Sequence, residues 1–442
     1  MLKRKIYSKL VDWKKNDKGK TALLVEGARR IGKSTIVEEF AKKEYDSYIL
    51  IDFAFASEEI HDLFKNINDL DYFFMQLQLF FGVNLVERNS LIIFDEVQFN
   101  PLARQSIKKL VADGRYDYIE TGSLISINKN IKDILIPSEE RRINMYPMDF
   151  EEFLWAIGDV STVEILKKFY NEKKPLGEKI NREILRKFRL YLIIGGMPQA
   201  IIEYLESNNL EKVDQVKRNI IDLYEKDFYK IDNKGKISSL YDAIPSELNK
   251  HTKSYQISSV LPNDRRDTIS DELIELIASK TVLPSYNVLD PSVGLSSMYN
   301  KKNFRLYNSD TGLMITMMFK DKEFTENSIY KKLLSDKLPA NLGIVFENAV
   351  AQMLATKGHN LYYHTYYDKK QKRNFEIDFI LSDGSKIAPI EVKSSNYRVH
   401  KSLDRFSLKY NSRISKKIVL HTKDLRVVGD ILYLPVYMGI FL

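Results

Sequence analysis

A glycine-rich segment near the start of the chain constrains the fold more than any other feature. Residues 27–34 read Gly-Ala-Arg-Arg-Ile-Gly-Lys-Ser and match the pattern G-x-x-x-x-G-K-[ST] without mismatch. An apolar run, residues 21–26, precedes the segment, and a helical pattern over residues 33–44 follows it. Glycines between a buried strand and a helix let backbone N–H groups surround phosphate oxygens, and the helix N-terminus adds partial positive charge. The segment therefore predicts a phosphate-binding loop.

The chemistry of the loop residues indicates a bound nucleotide, with ATP and Mg²⁺ as the expected cofactors. Lys33 can reach the β- and γ-phosphates and contribute to catalysis, while the Ser34 hydroxyl can ligate magnesium. Ser123, which follows a later strand, can sense the γ-phosphate. The predicted nucleotide-binding set is Gly27, Ala28, Arg29, Arg30, Ile31, Gly32, Lys33, Ser34, Thr35 and Ser123. The alternative is an idle glycine turn between a strand and a helix.

Two acidic residues at the end of a later apolar strand, residues 91–94, support this interpretation. Asp95 can hold the magnesium shell, and Glu96 can polarise an attacking water, which the hydrolysis of a nucleoside triphosphate requires. The alternative is a solvated loop, which an Asp-Glu pair after a strand often forms. Arg141 and Arg142 either stabilise developing charge or lie on the surface.

Alternating strand-like and helical patterns predict an α/β fold, with a parallel sheet covered by helices on both faces. The 442 residues suit about three domains. We expect the first at residues 1–150, a helical and winged-helix-like region at 151–325, and a second α/β domain at 326–442. The predicted strands are 21–26, 48–52, 91–94 and 118–120 in the first domain and 361–367, 375–381, 387–392, 417–420 and 431–434 in the last. The predicted helices include 33–44, one starting after Ser57, 101–112 and 342–356, and residues 287–303 are expected to be a loop or linker.

Composition excludes several classes of protein. The chain has no cysteine, so disulfide scaffolds, thiolate metal sites and cysteine nucleophiles are excluded. The longest uncharged window, residues 72–86, is shorter than the ~20 residues of a membrane-spanning helix, and the N-terminus lacks the apolar stretch of a signal peptide. We therefore expect a cytoplasmic protein with no membrane partner.

A third set of charged residues lies near the C-terminus, around a hairpin expected at residues 382–385. Strand alternation places Glu391 and Lys393 on one face, and Asp378 lies on the preceding strand. Upstream, Glu347 falls on a partly apolar helix row. Carboxylates arranged in this way can bind Mg²⁺, and Lys393 can orient a water for attack on a phosphodiester. The alternatives are a salt-linked hairpin of surface charges and an inactive domain that only binds partners.

The charge distribution favours an anionic partner for this region. The chain carries a net charge of +8, and residues 361–442 contain 15 Lys/Arg and 8 Asp/Glu, a net of +7. Basic residues flank the strands of the carboxylates and alternate with tyrosines, a pattern that can follow a nucleic-acid backbone. They are Lys369, Lys370, Lys372, Arg373, Arg398, Lys401, Arg405 and Lys409. A solvated surface is the alternative.

Further motifs along the chain support a family resemblance. They are residues 6–7 (Ile-Tyr) with Trp13, the loop at 27–35, 94–98 (Phe-Asp-Glu-Val-Gln), 120–123 (Glu-Thr-Gly-Ser), 146–153, 195–198 (Gly-Gly-Met-Pro) and 304–313. On these motifs, residues 1–325 resemble the prokaryotic AAA-like ATPases that carry a C-terminal domain of unknown function. The resemblance implies ATP hydrolysis, and it implies a homo-oligomer because such modules often form rings. Residues 138–142 depart from the Gly-Arg found in many relatives.

The C-terminal charged residues resemble the core of the PD-(D/E)xK nucleases, which have a restriction-endonuclease-like fold. Glu347, Asp378, Glu391 and Lys393 stand at the matching places, and Ile377 stands where the motif has proline. The resemblances together imply an ATPase coupled to a nuclease-like domain that acts on nucleic acid. The alternative is a nucleotide-gated regulatory protein whose C-terminal fold only recognises a partner.

Overall fold

A computed structural model describes residues 1–122, 137–250, 254–262, 271–335, 342–368 and 372–442, without the side chains of Asn66 and Leu342. The chain forms two compact units. The first comprises Met1–Tyr146 with Ala278–Lys280, and the second comprises Pro147–Ile277 with Thr281–Leu442. Ser123, Lys369 and Lys370 lie outside the described residues, so their predicted roles cannot be placed in the fold.

The first unit contains the predicted parallel sheet. Its strands are β1 (Ala22–Glu26), β2 (Ser47–Asp52), β3 (Ser90–Asp95), β4 (Asp117–Gly122) and β5 (Glu140–Asn144), in the order β2-β3-β4-β1-β5, and every pair is parallel. β1, β3 and β4 are buried along their whole length, as expected for strands covered on both faces. The α/β class is therefore confirmed. β5 was not predicted because its sequence, Glu-Arg-Arg-Ile-Asn, has no apolar run.

Helices cover both faces of this sheet. They are α1 (Ile6–Asp17), α2 (Lys33–Glu44), α3 (Glu58–Leu63), α4 (Leu70–Phe81) and α5 (Pro101–Asp113). Residues of α3, α4 and α5 share one core with Ala22 and Leu24 of β1. α2 packs against β2, β3 and β4, and Leu23 and Val25 of β1, the strand next to β4, are also buried. α2 begins at Lys33 as predicted, and the Ser57 hydroxyl accepts the N–H of Ile60 at the start of α3.

The second unit begins with a helical region. Its helices are α6 (Phe150–Ala156), α7 (Thr162–Glu172), α8 (Glu178–Ile194), α9 (Pro198–Ser207), α10 (Leu210–Ile231), α11 (Lys236–Asp242), α12 (Ile244–Leu248), α13 (Ile257–Val260) and α14 (Asp271–Ala278). The predicted break at residues 195–198 separates α8 from α9. At the other end of α8, the Asp424 carboxylate accepts the N–H groups of Leu176 (3.0 Å) and Gly177 (2.7 Å), so a distant loop holds the chain directly before this helix.

Two further sheets follow in the second unit. The first contains β6 (Val282–Val288), β7 (Tyr299–Asn308), β8 (Leu361–Asp368) and β9 (Arg373–Ile377) in the order β7-β6-β8-β9. The second contains β10 (Phe379–Asp383), β11 (Lys386–Val392), β12 (Lys417–His421), β13 (Arg426–Val428) and β14 (Ile431–Pro435) in the order β10-β11-β12-β14-β13. The accompanying helices are α15 (Thr311–Met318), α16 (Asn327–Leu334), α17 (Leu342–Thr356) and α18 (Lys401–Tyr410).

The four-stranded sheet joins segments that we assigned to separate domains. β6 precedes the expected boundary at residue 325, β8 follows it, and the two strands pair in parallel. Strand β6 also extends into the stretch expected to be a linker, because Asn287 and Val288 pair with β7. Only residues 289–298 lie between these strands. The winged-helix-like and restriction-endonuclease-like assignments stay predictions.

The strand predicted over residues 375–381 is wrong in one respect: it is two strands, in different sheets. β9 ends at Ile377, where it pairs with β8, and β10 begins at Phe379, where it pairs with β11. Asp378 forms the bend between them, and its Oδ2 accepts the backbone N–H of Val392 at 2.8 Å. A side-chain acceptor therefore replaces a backbone one at this point, which lets the chain leave the first sheet.

No helix among these described stretches combines the length and apolarity needed to cross a membrane.

Candidate functional site

The loop between β1 and α2 has a backbone that requires glycine at two positions. Gly32 has φ 90° and ψ 30°, a left-handed conformation that favours glycine. A Cβ atom at Gly27 would lie less than 3.0 Å from the carbonyl oxygen of Met145 and from Cδ1 of Ile31. The spacing of the two glycines thus follows from the path of the loop, first beside the β5 end and then into α2.

Lys33 lies inside the curve of this loop. Its Nζ donates to the carbonyl oxygens of Gly27 (3.0 Å) and Ala28 (2.9 Å), and only 5% of the residue is exposed. Burial lowers the pKa of Lys33, while the carboxylates of Glu96 and Asp95 oppose that shift. The ammonium group is therefore held where the loop and two acidic side chains converge.

Asp95 connects the loop to the neighbouring strands. Its Oδ1 accepts the Ser34 hydroxyl at 2.8 Å and also the Thr121 hydroxyl. The backbone N–H of Glu96 donates to Thr121 Oγ1 at 3.4 Å. A serine hydroxyl and a carboxylate are hard oxygen ligands, the kind that Mg²⁺ prefers, so the donor set fits this ion. The structure thus brings Ser34 and Asp95 together as the sequence suggested, and it adds Thr121, which the motif analysis did not assign.

Glu96 occupies a strained position directly after β3. Its φ of 51° and ψ of 47° are left-handed, a conformation that costs a non-glycine residue on the order of 1–3 kcal/mol and often occurs at functional sites. The Gln98 side-chain amide donates to one Glu96 carboxylate oxygen. Glu96 is thereby turned out of the strand direction and held in place.

Arg4 is a further residue of this site that sequence reasoning missed. Its Nη1 donates to the carbonyl oxygen of Ile31 and its Nη2 to that of Tyr146, both at 2.6 Å, and the residue is buried. One guanidinium thus ties the phosphate-binding loop to the chain after β5. Arg4 stands in the run Lys-Arg-Lys at residues 3–5, which is typical of a solvated surface. The sequence therefore does not indicate that Arg4 holds the phosphate-binding loop.

The remaining predicted loop residues divide by exposure. Ala28 and Ile31 are buried in the core, Arg29 is half-buried, and Arg30 and Thr35 are exposed. Neither later arginine is free: Arg141 Nη1 lies 3.2 Å from Asp17 Oδ1, and Arg142 pairs with Glu140 and Glu26.

A buried cluster of acids and arginines lies between β1, β4, β5 and α5. Arg104 donates to Glu140 through Nε (2.8 Å) and Nη2 (2.9 Å). Glu120, which precedes Thr121, is fully buried. Burial raises the pKa of Glu120 well above its ordinary value, and the neighbouring Glu140 adds to that shift. Glu120 is therefore protonated in the folded chain at a pH where a solvated glutamate is ionised.

The second unit brings three of the four C-terminal charged residues together. Glu391 lies on β11, and its Oε1 is 2.6 Å from Lys393 Nζ. Asp378 bonds to the backbone of Val392, directly after Glu391. Both carboxylates are buried. Burial raises the pKa of Glu391, the Lys393 ammonium opposes this, and the Asp378 carboxylate adds to it. The two acids are thus close enough to interact.

Glu347, the fourth residue, lies beside a different group. It is buried on α17, and its charge acts on Arg305, a fully buried residue of β7. The Arg305 guanidinium pairs with Glu376 and lies 4.1 Å from the centroid of the Tyr363 ring. Within the described ranges, no group of three or more His, Asp or Glu side chains could hold a metal ion. Asp378 and Glu391 alone could still bind Mg²⁺ with waters and substrate phosphate, so the C-terminal metal site stays a prediction.

Aromatic and basic residues that the sequence analysis left out extend this site across the sheet. β11, β12 and β14 are parallel, and Glu391, Val419 and Tyr433 occupy matching positions on them. His421, two residues beyond Val419, stacks on Tyr397 with ring centroids 4.4 Å apart. The histidines of the chain do not have the paired spacing of metal ligands, so the sequence did not single out His421 as a site residue. The carboxyl ends of parallel strands collect such residues only once the sheet is formed.

The described basic residues predicted to contact nucleic acid are exposed. They are Lys372, Arg373, Arg398, Lys401, Arg405 and Lys409. Arg373 lies 4.2 Å from the Phe375 ring centroid, and Lys409 lies 5.2 Å from that of Tyr366. Their charged ends are therefore available to solvent beside aromatic rings.

Family models match three successive segments of the chain. Residues 19–154 match the AAA domain, residues 185–323 match a Domain of unknown function (DUF8612), and residues 342–437 match a Domain of unknown function (DUF4143). Residues 19–154 are an AAA-like P-loop domain. This match contains the loop at 27–34, Asp95, Glu96 and the parallel sheet that carries them. It agrees with the family resemblance that the sequence motifs support.

Comparison with individual proteins gives weaker likenesses. An uncharacterized protein of Methanocaldococcus jannaschii is 24% identical over 443 residues, which cover 95% of this chain and 84% of that protein. A Walker-type ATPase of Pyrococcus abyssi covers 72% of this chain and 96% of its own, with 16% identity and a TM-score of 0.41. The ORC1 protein of Aeropyrum pernix, solved in complex with DNA, covers 73% and 93%, with 10% identity and a TM-score of 0.28. Both TM-scores are too low to establish a shared fold over the whole chain.

Proposed function

We propose that the first unit binds Mg·ATP and hydrolyses it. The observation that carries the proposal is the convergence of the Ser34 and Thr121 hydroxyls on one oxygen of Asp95, beside the buried ammonium of Lys33. Ser34 and Asp95 would hold a Mg²⁺ ion, which would offset the negative charge of the phosphates. The backbone N–H groups of residues 27–34 would surround the phosphates.

The remaining roles follow from the same geometry. Lys33 would exchange its bonds to the loop carbonyls for bonds to the β- and γ-phosphate oxygens. Glu96 would orient the attacking water and accept its proton, with Gln98 holding the carboxylate in place. Thr121 would keep Asp95 aligned, and Arg4 would keep the loop in its curved form.

The test compares three variants of the full chain. Lys33→Ala should abolish ATP binding, measured by isothermal titration calorimetry. Glu96→Gln should bind ATP but hydrolyse it about 100-fold more slowly, since general-base residues contribute at least that factor. Lys42→Ala, an exposed lysine on the same helix α2, is the matched control and should behave as wild type. Wild-type turnover by Lys33→Ala would refute the assignment of the loop.

For the second unit, we propose hydrolysis of phosphodiester bonds in nucleic acid. The supporting observation is that Asp378, Glu391 and Lys393 lie together at the carboxyl end of β11, in the sheet formed by β10 to β14. Asp378 and Glu391 would hold a divalent ion, and Lys393 would offset the charge of the phosphate. The exposed basic residues nearby would contact the backbone of the substrate.

This proposal is tested by incubating the protein with Mg²⁺ or Mn²⁺ and single- or double-stranded DNA and RNA. Asp378→Ala should lose cleavage, whereas Asp383→Ala, a more exposed aspartate on β10, should keep it. Cleavage that survives in Asp378→Ala would indicate a contaminating nuclease. If wild type cleaves no substrate, the alternative gains support: a nucleotide-gated regulatory protein whose C-terminal domain only binds a partner.

A further inference from the structure

Three side chains form a hydrogen-bonded chain at the carboxyl ends of the parallel strands in the second unit's five-stranded sheet, β10 to β14. Asp404 Oδ1 lies 2.8 Å from His400 Nδ1, and His400 Nε2 lies 2.7 Å from the Tyr433 hydroxyl. Asp404 lies in the first turn of α18 and its side chain is 54% exposed, whereas Tyr433 is only 4% exposed. The chain of contacts thus leads from solvent into the interior.

The acceptors and donors assign a direction to this chain. An ionised carboxylate only accepts hydrogen bonds, so Asp404 requires a proton on His400 Nδ1. In neutral His400, Nε2 is then an acceptor, and the Tyr433 O–H donates to it. When His400 gains a second proton, Nε2 becomes a donor, and the Tyr433 O–H is released to donate elsewhere. A histidine oriented by a carboxylate and bonded to a hydroxyl is the arrangement that moves protons in many hydrolases.

Tyr433, the buried end of this hydrogen-bonded chain, lies on the same side of the sheet as Glu391. Tyr433 and Glu391 occupy matching positions on strands two apart, so their Cα atoms are about 9.6 Å apart and their side chains lie on the same face of the sheet. His400 is close enough to Glu391 to lower its pKa. Burial raises the pKa of Tyr433 although the Arg426 guanidinium opposes it. The Tyr433 hydroxyl therefore keeps its proton and suits a donor better than a nucleophile.

We propose that Tyr433 gives the proton to the leaving oxygen of the cleaved phosphodiester and that His400 and Asp404 resupply it from solvent. The inference rests on the proposed phosphodiester hydrolysis. The water oxygen bonds to phosphorus and loses a proton to solvent. The bond from phosphorus to the leaving oxygen breaks, and that oxygen takes the Tyr433 proton. The Tyr433 oxygen regains a proton from Nε2 of doubly protonated His400, which thereby becomes the neutral Nδ1–H form, and His400 then takes up a proton from solvent. Tyr433 is the catalytic residue, while His400 and Asp404 are positioning residues.

A pair of substrates tests this role because only one of them needs a proton donor. Thymidylyl-thymidine leaves as an alkoxide, which must be protonated, whereas thymidine 5′-(p-nitrophenyl phosphate) leaves as a stable phenolate. With the full chain and Mn²⁺, Tyr433→Phe should slow cleavage of the dinucleotide about 100-fold and that of the nitrophenyl ester much less. His400→Gln should show the same split, and Tyr229→Phe, an exposed tyrosine on α10, should show neither effect.

The outcomes separate this inference from the function on which it rests. Equal losses on both substrates in Tyr433→Phe would overturn the proton-donor role while leaving the hydrolysis intact. A wild-type protein that cleaves neither substrate would refute the hydrolysis and the donor role with it. Independently of activity, ¹⁵N NMR of labelled histidine, assigned with His400→Gln, should show the Nδ1–H tautomer for His400 at a pH where its ring is neutral. The opposite tautomer would overturn the relay.

Discussion

Replacing Glu120 by glutamine should change how the stability of the first unit depends on pH. Glu120 is fully buried, and burial together with Glu140 raises its pKa well above the ordinary 4.5. The arginines that face it, Arg104 and Arg142, pair with Glu140 instead. In the unfolded chain Glu120 ionises near pH 4.5, whereas in the folded chain it keeps its proton. Between the ordinary pKa of a glutamate and the raised pKa of Glu120, the folded state therefore binds one more proton than the unfolded state.

The sign and size of the effect follow from that proton. Where the folded state binds more protons, the free energy of unfolding falls as the pH rises. The slope for one proton is about 1.4 kcal/mol per pH unit, and it applies between the ordinary pKa of a glutamate and the raised pKa of Glu120. Glutamine keeps the volume of glutamate and cannot ionise. Glu120→Gln should therefore flatten the profile, with the largest gain in stability at the highest pH.

The two tryptophans of the chain provide a specific reporter. Trp13 is buried in the first unit and Trp155 lies in the second, so a Trp155→Phe background leaves fluorescence from the first unit alone. Urea unfolding at pH 5, 6, 7 and 8 would then give the free energy of unfolding of that unit. Glu59→Gln, an exposed glutamate on α3, is the control. Parallel profiles for wild type and Glu120→Gln would refute the buried, protonated state of Glu120.

Three other substitutions test the remaining architecture. Gly27→Ala should abolish ATP binding because its Cβ would collide with backbone after β5; normal affinity by calorimetry would contradict this. Asp424→Ala should destabilise the second unit by about 2–3 kcal/mol in urea unfolding, since two N–H groups at the start of α8 lose a charged acceptor; Asp424→Asn should lose less, and equal losses would argue against the charge. Arg305→Met should cost about 2–3 kcal/mol because Glu376 loses its ion pair with a buried guanidinium, and adding Glu376→Gln should recover part of it; no recovery would show that packing against Tyr363 dominates.

The first unit could be predicted well because its signals are local. The strand, loop and helix at residues 21–44 are contiguous, and each one has its own pattern, so the loop and the start of α2 were both identified. Thr121 and Arg4 were missed because their roles depend on where β4 and the N-terminal segment lie in the folded chain. β5 was missed because its strand is charged, and it is held in the sheet by pairing with β1 rather than by apolar side chains.

The second unit was predicted in outline, and its site only in part. The hairpin between β10 and β11 follows from its Ser-Asp-Gly-Ser turn, and the alternation in β11 correctly placed Glu391 and Lys393 together. The split at Asp378 depends on one side-chain hydrogen bond, which no periodicity reveals. The relation of Tyr433 to Glu391 depends on the order of three parallel strands, and that order is a property of the assembled sheet.

The order β7-β6-β8-β9 has a practical consequence for expressing the C-terminal half alone. A fragment that starts at residue 326 would keep β8 and β9 but remove β6, its parallel neighbour, and so leave unpaired N–H and C=O groups along a strand that is an inner strand in the intact chain. Such an open edge invites pairing between molecules and aggregation. A fragment that is to stay in solution should instead begin before Val282, so that it carries both missing strands with it.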